Sequence, residues 1–325
     1  MFTIAVNGSY PRDPDPPRPL ILKQALAEFA AGRLTDRELL RARQRATVEI
    51  VAELIAAGVE IVSDGQVWSE DPIRELFSSL GGFDCTGERP RAVEPVNWRR
   101  PLYLDYYRFV AERSPVDVRP ALPGPFSLAR QCHPGIYGDD LGRLAIDLAR
   151  ALNRELEGLA AAGAEFILIE EPLLVTAKET VAQFSAAAQA LCAGVEASLM
   201  LGTSGGDIIG IEEEVAASPF QGIALDLVAG PDNDLLLDND RLWRGKIIQL
   251  GLVDAGSDEV EGAEAIALNL VRYAAAHDPG LLWVAPSAGM AGLPRGAAFE
   301  KLQSLYRGAL TARRELARME TPGGV

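Results

Sequence analysis

The sequence predicts a single-domain (β/α)8 barrel, a TIM barrel, and three observations carry that expectation. Short apolar runs alternate with longer helical patterns from end to end, eight such runs can be placed, and Ala-Ala-Gly endings at Ala56–Gly58 and Ala161–Gly163 read as helix C-caps feeding a parallel strand. A length of 325 residues suits one such barrel with decorated loops.

The predicted strands are Thr3–Asn7, Val59–Ser63, Val116–Leu122, Glu165–Ile169, Ala197–Leu201, Gly222–Asp226, Lys246–Leu252 and Leu281–Ala285. Helical patterns occupy Thr35–Ala57, Asp139–Ala162, Thr176–Ala193, Ile208–Ala217, Glu259–Ala276 and Gly296–Ala317; several open on a capping Asp, Thr or Ser and several stop at Gly. Two segments interrupt the alternation. Pro11–Pro19 carries five prolines and reads as a rigid loop of polyproline character. Residues 81–101, rich in Gly, Pro and Arg, read as a hairpin or lid inserted between the second and third strands.

Composition narrows the partners. A formal net charge of −15 repels phosphate backbones and anionic headgroups, so a small-molecule substrate is expected in place of nucleic acid or a membrane surface. No apolar run approaches the roughly 20 residues of a membrane span. The opening MFTIAVNGSYPR lacks a basic, then apolar leader, and Cys85, Cys132 and Cys192 form no CxxC pair. The expectation is a cytoplasmic protein with reduced thiols.

Chemistry in such barrels gathers after the strands. Read in order, those ends give Asn7, Gly8 and Ser9; Asp64, Gly65 and Gln66; Pro123-Gly124-Pro125; Glu170 and Glu171; Gly202 to Asp207 with Ser204; Asp226; Asp254; and Ser287 to Gly289. Five of the eight ends carry a carboxylate, and acids drawn together raise one another's pKa. Glu170, Glu171 and Asp226 are the candidate catalytic residues, as general bases or cation binders. Asn7, Gly8, Ser9, Asp64, Gln66, Ser204 and Ser287 are the candidate substrate-binding set. The Gly202–Gly206 loop reads equally as a tight turn or as an anion nest leading into a helix. Cys132-His133 reads as loop packing, and His277 as a residue at a helix C-terminus. Trp68, Trp98 and Trp283 are split between ligand stacking and core packing.

These strand-end motifs resemble the C-terminal catalytic domain of cobalamin-independent methionine synthase, within the group that also holds uroporphyrinogen decarboxylase. Val6–Arg12 (VNGSYPR) is similar to that family's opening "IGS-aromatic-P" motif, Gly58–Gln66 (GVEIVSDGQ) to its "DGE" element, and Gly124-Pro125 to its "GP" turn. Leu152–Leu174 (LNRELEGLAAAGAEFILIEEPLL) resembles the "IDEP" segment and is the most specific match. Leu250–Asp254 (LGLVD) and Leu282–Met290 (LWVAPSAGM) resemble "GVVD" and "LWVNPDCGL".

The resemblance implies a zinc-activated thiol chemistry that this sequence departs from. The family's His-x-Cys falls on Gly202 and Ser204, its Glu on Asp226 and its last Cys on Ala288, leaving one candidate ligand where zinc takes about four. No zinc is expected there. The family groups that hold an ammonium fall on Glu170 and Gln66, and the serine that contacts a carboxylate falls on Ser9. The reading is a methionine-synthase-like methyltransferase with a folate-type methyl donor and a non-homocysteine or unusually activated acceptor. A hard divalent ion on Asp226, Glu170 and Asp207 is a further option. Two alternatives stand beside it. One is a lyase or decarboxylase of the uroporphyrinogen type, which needs Arg12, Arg18, Arg99, Arg100 and Arg130 to face the pocket. The other is a barrel that has lost catalysis and binds a small molecule or a partner.

Overall fold

The computed structural model describes residues 2–16 and 21–320, with the Glu320 side chain excepted; Arg18 and the last prolines of the predicted polyproline segment lie outside it. In chain order its elements are β1 (Thr3–Ile4), α1 (Ile21–Ala30), α2 (Asp36–Ala56), β2 (Ile61–Val62), α3 (Pro72–Ser79), β3 (Leu80–Asp84), β4 (Arg91–Trp98) and α4 (Tyr103–Ala111). There follow β5 (Asp117–Val118), β6 (Ala121–Pro123), α5 (Pro125–Gln131), α6 (Leu141–Ala161), β7 (Phe166–Glu170), α7 (Val181–Cys192), β8 (Ser198–Thr203) and α8 (Glu212–Ala216). The series closes with β9 (Gly222–Asp226), α9 (Asn233–Leu236), β10 (Ile247–Val253), α10 (Ala263–Ala274), β11 (Leu282–Pro286) and α11 (Arg295–Glu320). Strand and helix alternate as the sequence predicts, and the fold is of the parallel α/β, TIM-barrel-like class.

The chain divides into two compact units, residues 1–68, 110–118 and 250–325 in one and residues 69–109 and 119–249 in the other. The division falls inside β10. The first unit holds β1, β11 and the end of β10, with β2 pairing β5 and meeting β1 through bridges at Ala5–Ile61 and Ser9–Gly65. Its longest helix, α11, is capped from far away: both Asp15 oxygens accept from its first amides, Arg295 N and Gly296 N. The described part of the proline-rich loop is therefore what ends that helix. Beside it, the nearly fully buried Arg295 holds Glu53 at 3.0 Å, and the Tyr10 hydroxyl donates to the same carboxylate.

Helix α2 shows why the local signals were legible. Thr35 and Glu38 form a reciprocal capping box. At the other end Gly58 has φ 95° and lies so close to the Tyr306 ring that no side chain fits.

In the second unit β6, β7, β8, β9 and the start of β10 run parallel in that order. Residues alternate between two faces. Ile167, Ile169, Leu199, Leu201, Ile223 and Leu225 share one face and are buried. The apolar stripe of α6 (Leu144, Leu148, Leu152, Leu156) is buried too. The other face carries Leu168, Glu170, Met200, Gly202, Gly222, Ala224 and Asp226. Burial on both faces explains why these strands read as near-continuous apolar runs.

The inserted segment is an antiparallel hairpin of β3 and β4, as predicted for residues 81–101. Glu155 of α6 ties down its exit. Its Oε1 accepts from Leu102 N and Tyr103 N, the start of α4, and its Oε2 accepts from Trp98 Nε1. The predicted third strand, Val116–Leu122, is corrected to two pieces, β5 and β6, separated at Arg119-Pro120, where proline has no N–H to give to a ladder. Among the described residues no helix is long and apolar enough to cross a membrane.

Candidate functional site

The predicted site residues fall into two groups, one in each unit. In the first unit the ends of β1, β2, β10 and β11 bring Asn7, Gly8, Ser9, Asp64, Gln66 and Ser287 into two hydrogen-bonded clusters. Asn7, nearly buried, donates its Nδ2 to Pro286 O at 2.9 Å, joining the ends of β1 and β11. The buried Ser63 hydroxyl donates to Gly8 O at 2.6 Å and accepts from Gly65 N. The Ser9 hydroxyl fills the space that the missing side chain of Gly289 leaves, and the Ser9 carbonyl accepts from Met290 N at 2.9 Å. Ser287 Oγ accepts from Ala255 N, and Asp254 Oδ1 accepts from Gly256 N.

Asp64 is the carboxylate of this group with chemistry to spare. Its Oδ1 accepts from Gln66 N at 3.0 Å, and Gln66 has φ 53°, the one positive φ of a non-glycine residue among those described. Partly open at the surface yet hemmed in by protein, its carboxyl is pushed up to about 6 by burial, against the pull of the Gln66 amide.

In the second unit the ends of β7, β8 and β9 place Glu170, Glu171, Ser204 and Asp226. Glu171 is almost fully buried. Its Oε1 accepts from Phe126 N at 2.9 Å and its Oε2 from Ser127 N at 2.7 Å, so it caps α5 from a distant strand. Pro at the first position and Gly124 before it give that helix no cap of its own. A Cβ on Gly124 would sit inside the Glu171 carboxyl, so the approach requires glycine. Burial outweighs these hydrogen bonds and raises the Glu171 carboxyl to about 7.

Asp226 is likewise buried and fully engaged. Its Oδ2 accepts from Gly205 N at 2.9 Å, and its Oδ1 accepts from Val228 N and Ala229 N at 2.9 and 2.8 Å. Asn233 completes the same knot. Its Oδ1 accepts from Ile208 N, and its Nδ2 donates to Asp226 O and Gly206 O. The Gly202–Gly206 loop is therefore not an open anion nest: its Gly205 amide is given to the chain's own carboxylate, and helix α8 starts at Glu212, not near Ile208. Ser204 is half-exposed in that loop. Asp207 is ion-paired with Lys178 at 2.6 Å.

The four positions where the resemblance places zinc ligands do not fit that ion. Gly202 and Ala288 offer no donor, Ser204 a neutral hydroxyl, and Asp226 a carboxylate already shared by three amides. Among the described residues no three His, Cys, Asp or Glu side chains gather in a metal-binding arrangement.

Of the remaining singled-out residues, some pack inside the chain and others lie at its surface. Arg130 donates to Phe126 O, Thr180 Oγ1 and Gln183 Oε1 and stacks 3.6 Å from the Phe126 ring centre. Cys132 is buried, its thiol pushed up to about 11, and His133 Nδ1 accepts from Gly135 N. Trp68 and Trp283 are buried, whereas Trp98 lies on the hairpin. Arg99 and Arg100 are exposed. Asn233 and Arg119 escaped the sequence reading. Asn233 lies beyond a strand end in an Asp-rich loop, and Arg119 sits in the break between β5 and β6, where no local signal marks a buried charge.

Residues 95–257, half of the chain, match the family described as "Cobalamin-independent synthase, N-terminal domain". The chain is similar to the methionine synthase of Saccharolobus solfataricus, 27% identical over 98% of this chain and 97% of that one. It is as similar to the methionine synthase of Thermococcus kodakarensis, 27% identical over 97% and 94%. Among solved structures, a B12-independent methionine synthase from Shewanella sp. W3-18-1 in complex with selenomethionine shares the fold, with a TM-score of 0.83 at 22% identity over 98% of this chain and 99% of that one.

Proposed function

Because the chain belongs to the cobalamin-independent synthase family, we propose that it is a methyltransferase of the methionine synthase type that works without zinc at the four strand-end positions. The donor is a folate-type methyl carrier. The acceptor is a molecule other than unmodified homocysteine, or one activated by a route other than a soft metal. The observation that carries this reading is Asp226: the one retained donor of that set is spent on the amides of Gly205, Val228 and Ala229.

Without a metal to make a thiolate, the acceptor's proton needs a base. Asp64 suits the task better than the predicted Glu171 and Asp226. It is partly exposed, and its carboxyl, pushed up to about 6 by burial, is ionised at neutral pH. The acceptor's proton passes to Asp64 as its lone pair takes the methyl group. The donor nitrogen keeps the electrons of the broken N–methyl bond and takes up a proton from solvent, to which Asp64 returns the one it received, so the enzyme ends as it began. Ser9, Gln66 and Ser287 hold the acceptor at the same strand ends. Glu171 and Asp226 act by fixing the backbone around the second unit's strand ends.

The test is transfer of labelled methyl from methyltetrahydrofolate to a panel of thiol, amine and carbon acceptors in chelator-treated buffer. Turnover with an acceptor other than homocysteine supports the reading. Turnover with homocysteine alone, dependent on added zinc, contradicts it. The uroporphyrinogen-type alternative draws no support from Arg130, which is tied into α5 and α7, nor from the exposed Arg99 and Arg100.

A further inference from the structure

The second unit buries a cation on the sheet face that also carries Glu170 and Asp226. Arg119 is 1% exposed, among the largest side chains wholly inside the chain. It lies two residues before Ala121, so it continues the face that carries Ala121 and Pro123, whose partners on β7 are Leu168 and Glu170. Met200 and Gly202 follow on β8, and Gly222, Ala224 and Asp226 on β9. The Arg119 Nη1 points at the Met200 sulfur, 3.3 Å away.

We propose that Arg119 is a positioning residue for Glu170: from inside the sheet it keeps the Glu170 carboxylate ionised and oriented at its strand end, so that Glu170 serves as a fixed negative charge and not as a proton carrier. The inference rests on the reading of Glu170 as a site residue and assigns the group that sets its charge. Burial lowers the Arg119 guanidinium to about 10, and Glu170 is the acid that opposes that loss. At that value the guanidinium is still charged at neutral pH. The buried Arg119 cation and the half-exposed Glu170 carboxylate each stabilise the charged form of the other. The other acid on this face, Asp226, has its oxygens engaged by Gly205, Val228 and Ala229. Glu170 is therefore the natural counter-charge. Glu170 then holds a charge and does not move a proton.

The experiment follows the side-chain carboxyl of Glu170 by carbon-13 NMR in protein labelled at glutamate, with Glu170→Gln identifying the resonance. Arg119→Met keeps the length and removes the charge. It is expected to raise the Glu170 midpoint by at least about one pH unit, a tenfold change in proton affinity. Arg119→Lys keeps the charge at shorter reach and is expected to raise it by less. An unmoved midpoint in folded Arg119→Met overturns the proposal. If that variant does not fold, Arg119→Lys decides, and an unmoved midpoint there overturns it equally. The titration uses no substrate, so failure to find methyl transfer leaves it standing, and an unmoved midpoint removes it even where methyl transfer is found.

Discussion

Replacing Asp226 by alanine removes one carboxylate and strands three backbone N–H groups, those of Gly205, Val228 and Ala229. All three residues are open to solvent on one side, so water can reach the amides once the carboxylate is gone. The loss is then the net worth of each hydrogen bond, about 1 kcal/mol, and about 3 kcal/mol in total. For a chain of this length the entropy of unfolding is on the order of 0.7 kcal/mol per kelvin, so the melting temperature should fall by about 4 °C. Asp226→Asn keeps one acceptor for Val228 and Ala229 and turns an NH2 toward the Gly205 amide, so it should fall about half as far. Scanning calorimetry in chelator-treated buffer measures both. A variant that melts with the parent, or a parent whose melting rises with added zinc only while Asp226 is present, would refute the assignment of this carboxylate to loop anchoring.

Other outcomes follow from the same geometry. Gly124→Ala places a methyl group inside the Glu171 carboxyl and forces it off the α5 amides, at a cost of about 2–4 kcal/mol in urea unfolding; an unchanged midpoint would remove Glu171 as that helix's cap. Glu171 also ties stability to pH. Its carboxyl is raised in the folded chain, so its contribution is full below the usual carboxylate range and is lost as pH rises through about 7, up to roughly 3 kcal/mol. Denaturant midpoints should therefore decline between about pH 4.5 and 7 and level off above that, and Glu171→Gln should flatten the decline; an equal slope in the variant would refute it. For Asp64, methyl transfer should rise with pH along a limb near 6, and Asp64→Asn should abolish the limb along with most of the activity. A limb that survives in the variant would give the proton to another group.

Much of the fold was legible because its signals are local. The run Gly222–Asp226 appears in the structure with the predicted bounds, and the Thr35 capping box and the glycine endings set the limits of α2 and α6 within a residue or two. What was missed is also instructive. Asp71-Pro72 is a cap followed by proline at the first helical turn, a signature that marks α3, yet the segment sits beside a hairpin and reads as loop. Proline at Pro125 marks α5 in the same way. The strand ends named the residues of the site but not their duties. Glu171 lies 45 residues from the Phe126 amide that it receives, Asp15 lies 280 residues from that of Arg295, and Glu155 lies 53 residues from that of Leu102. An acid at a strand end and an acid that caps a distant helix look alike in sequence. Only the tertiary structure shows that Glu171 and Asp226 give both oxygens to backbone amides, whereas Asp64 lies partly open at its strand end.

The most direct measurement is the zinc content of the purified enzyme, taken on the same sample whose methyl transfer is assayed before and after exhaustive chelation. Zinc far below one per chain with undiminished turnover is the predicted result. One zinc per chain, whose removal stops turnover, would contradict the account at its root.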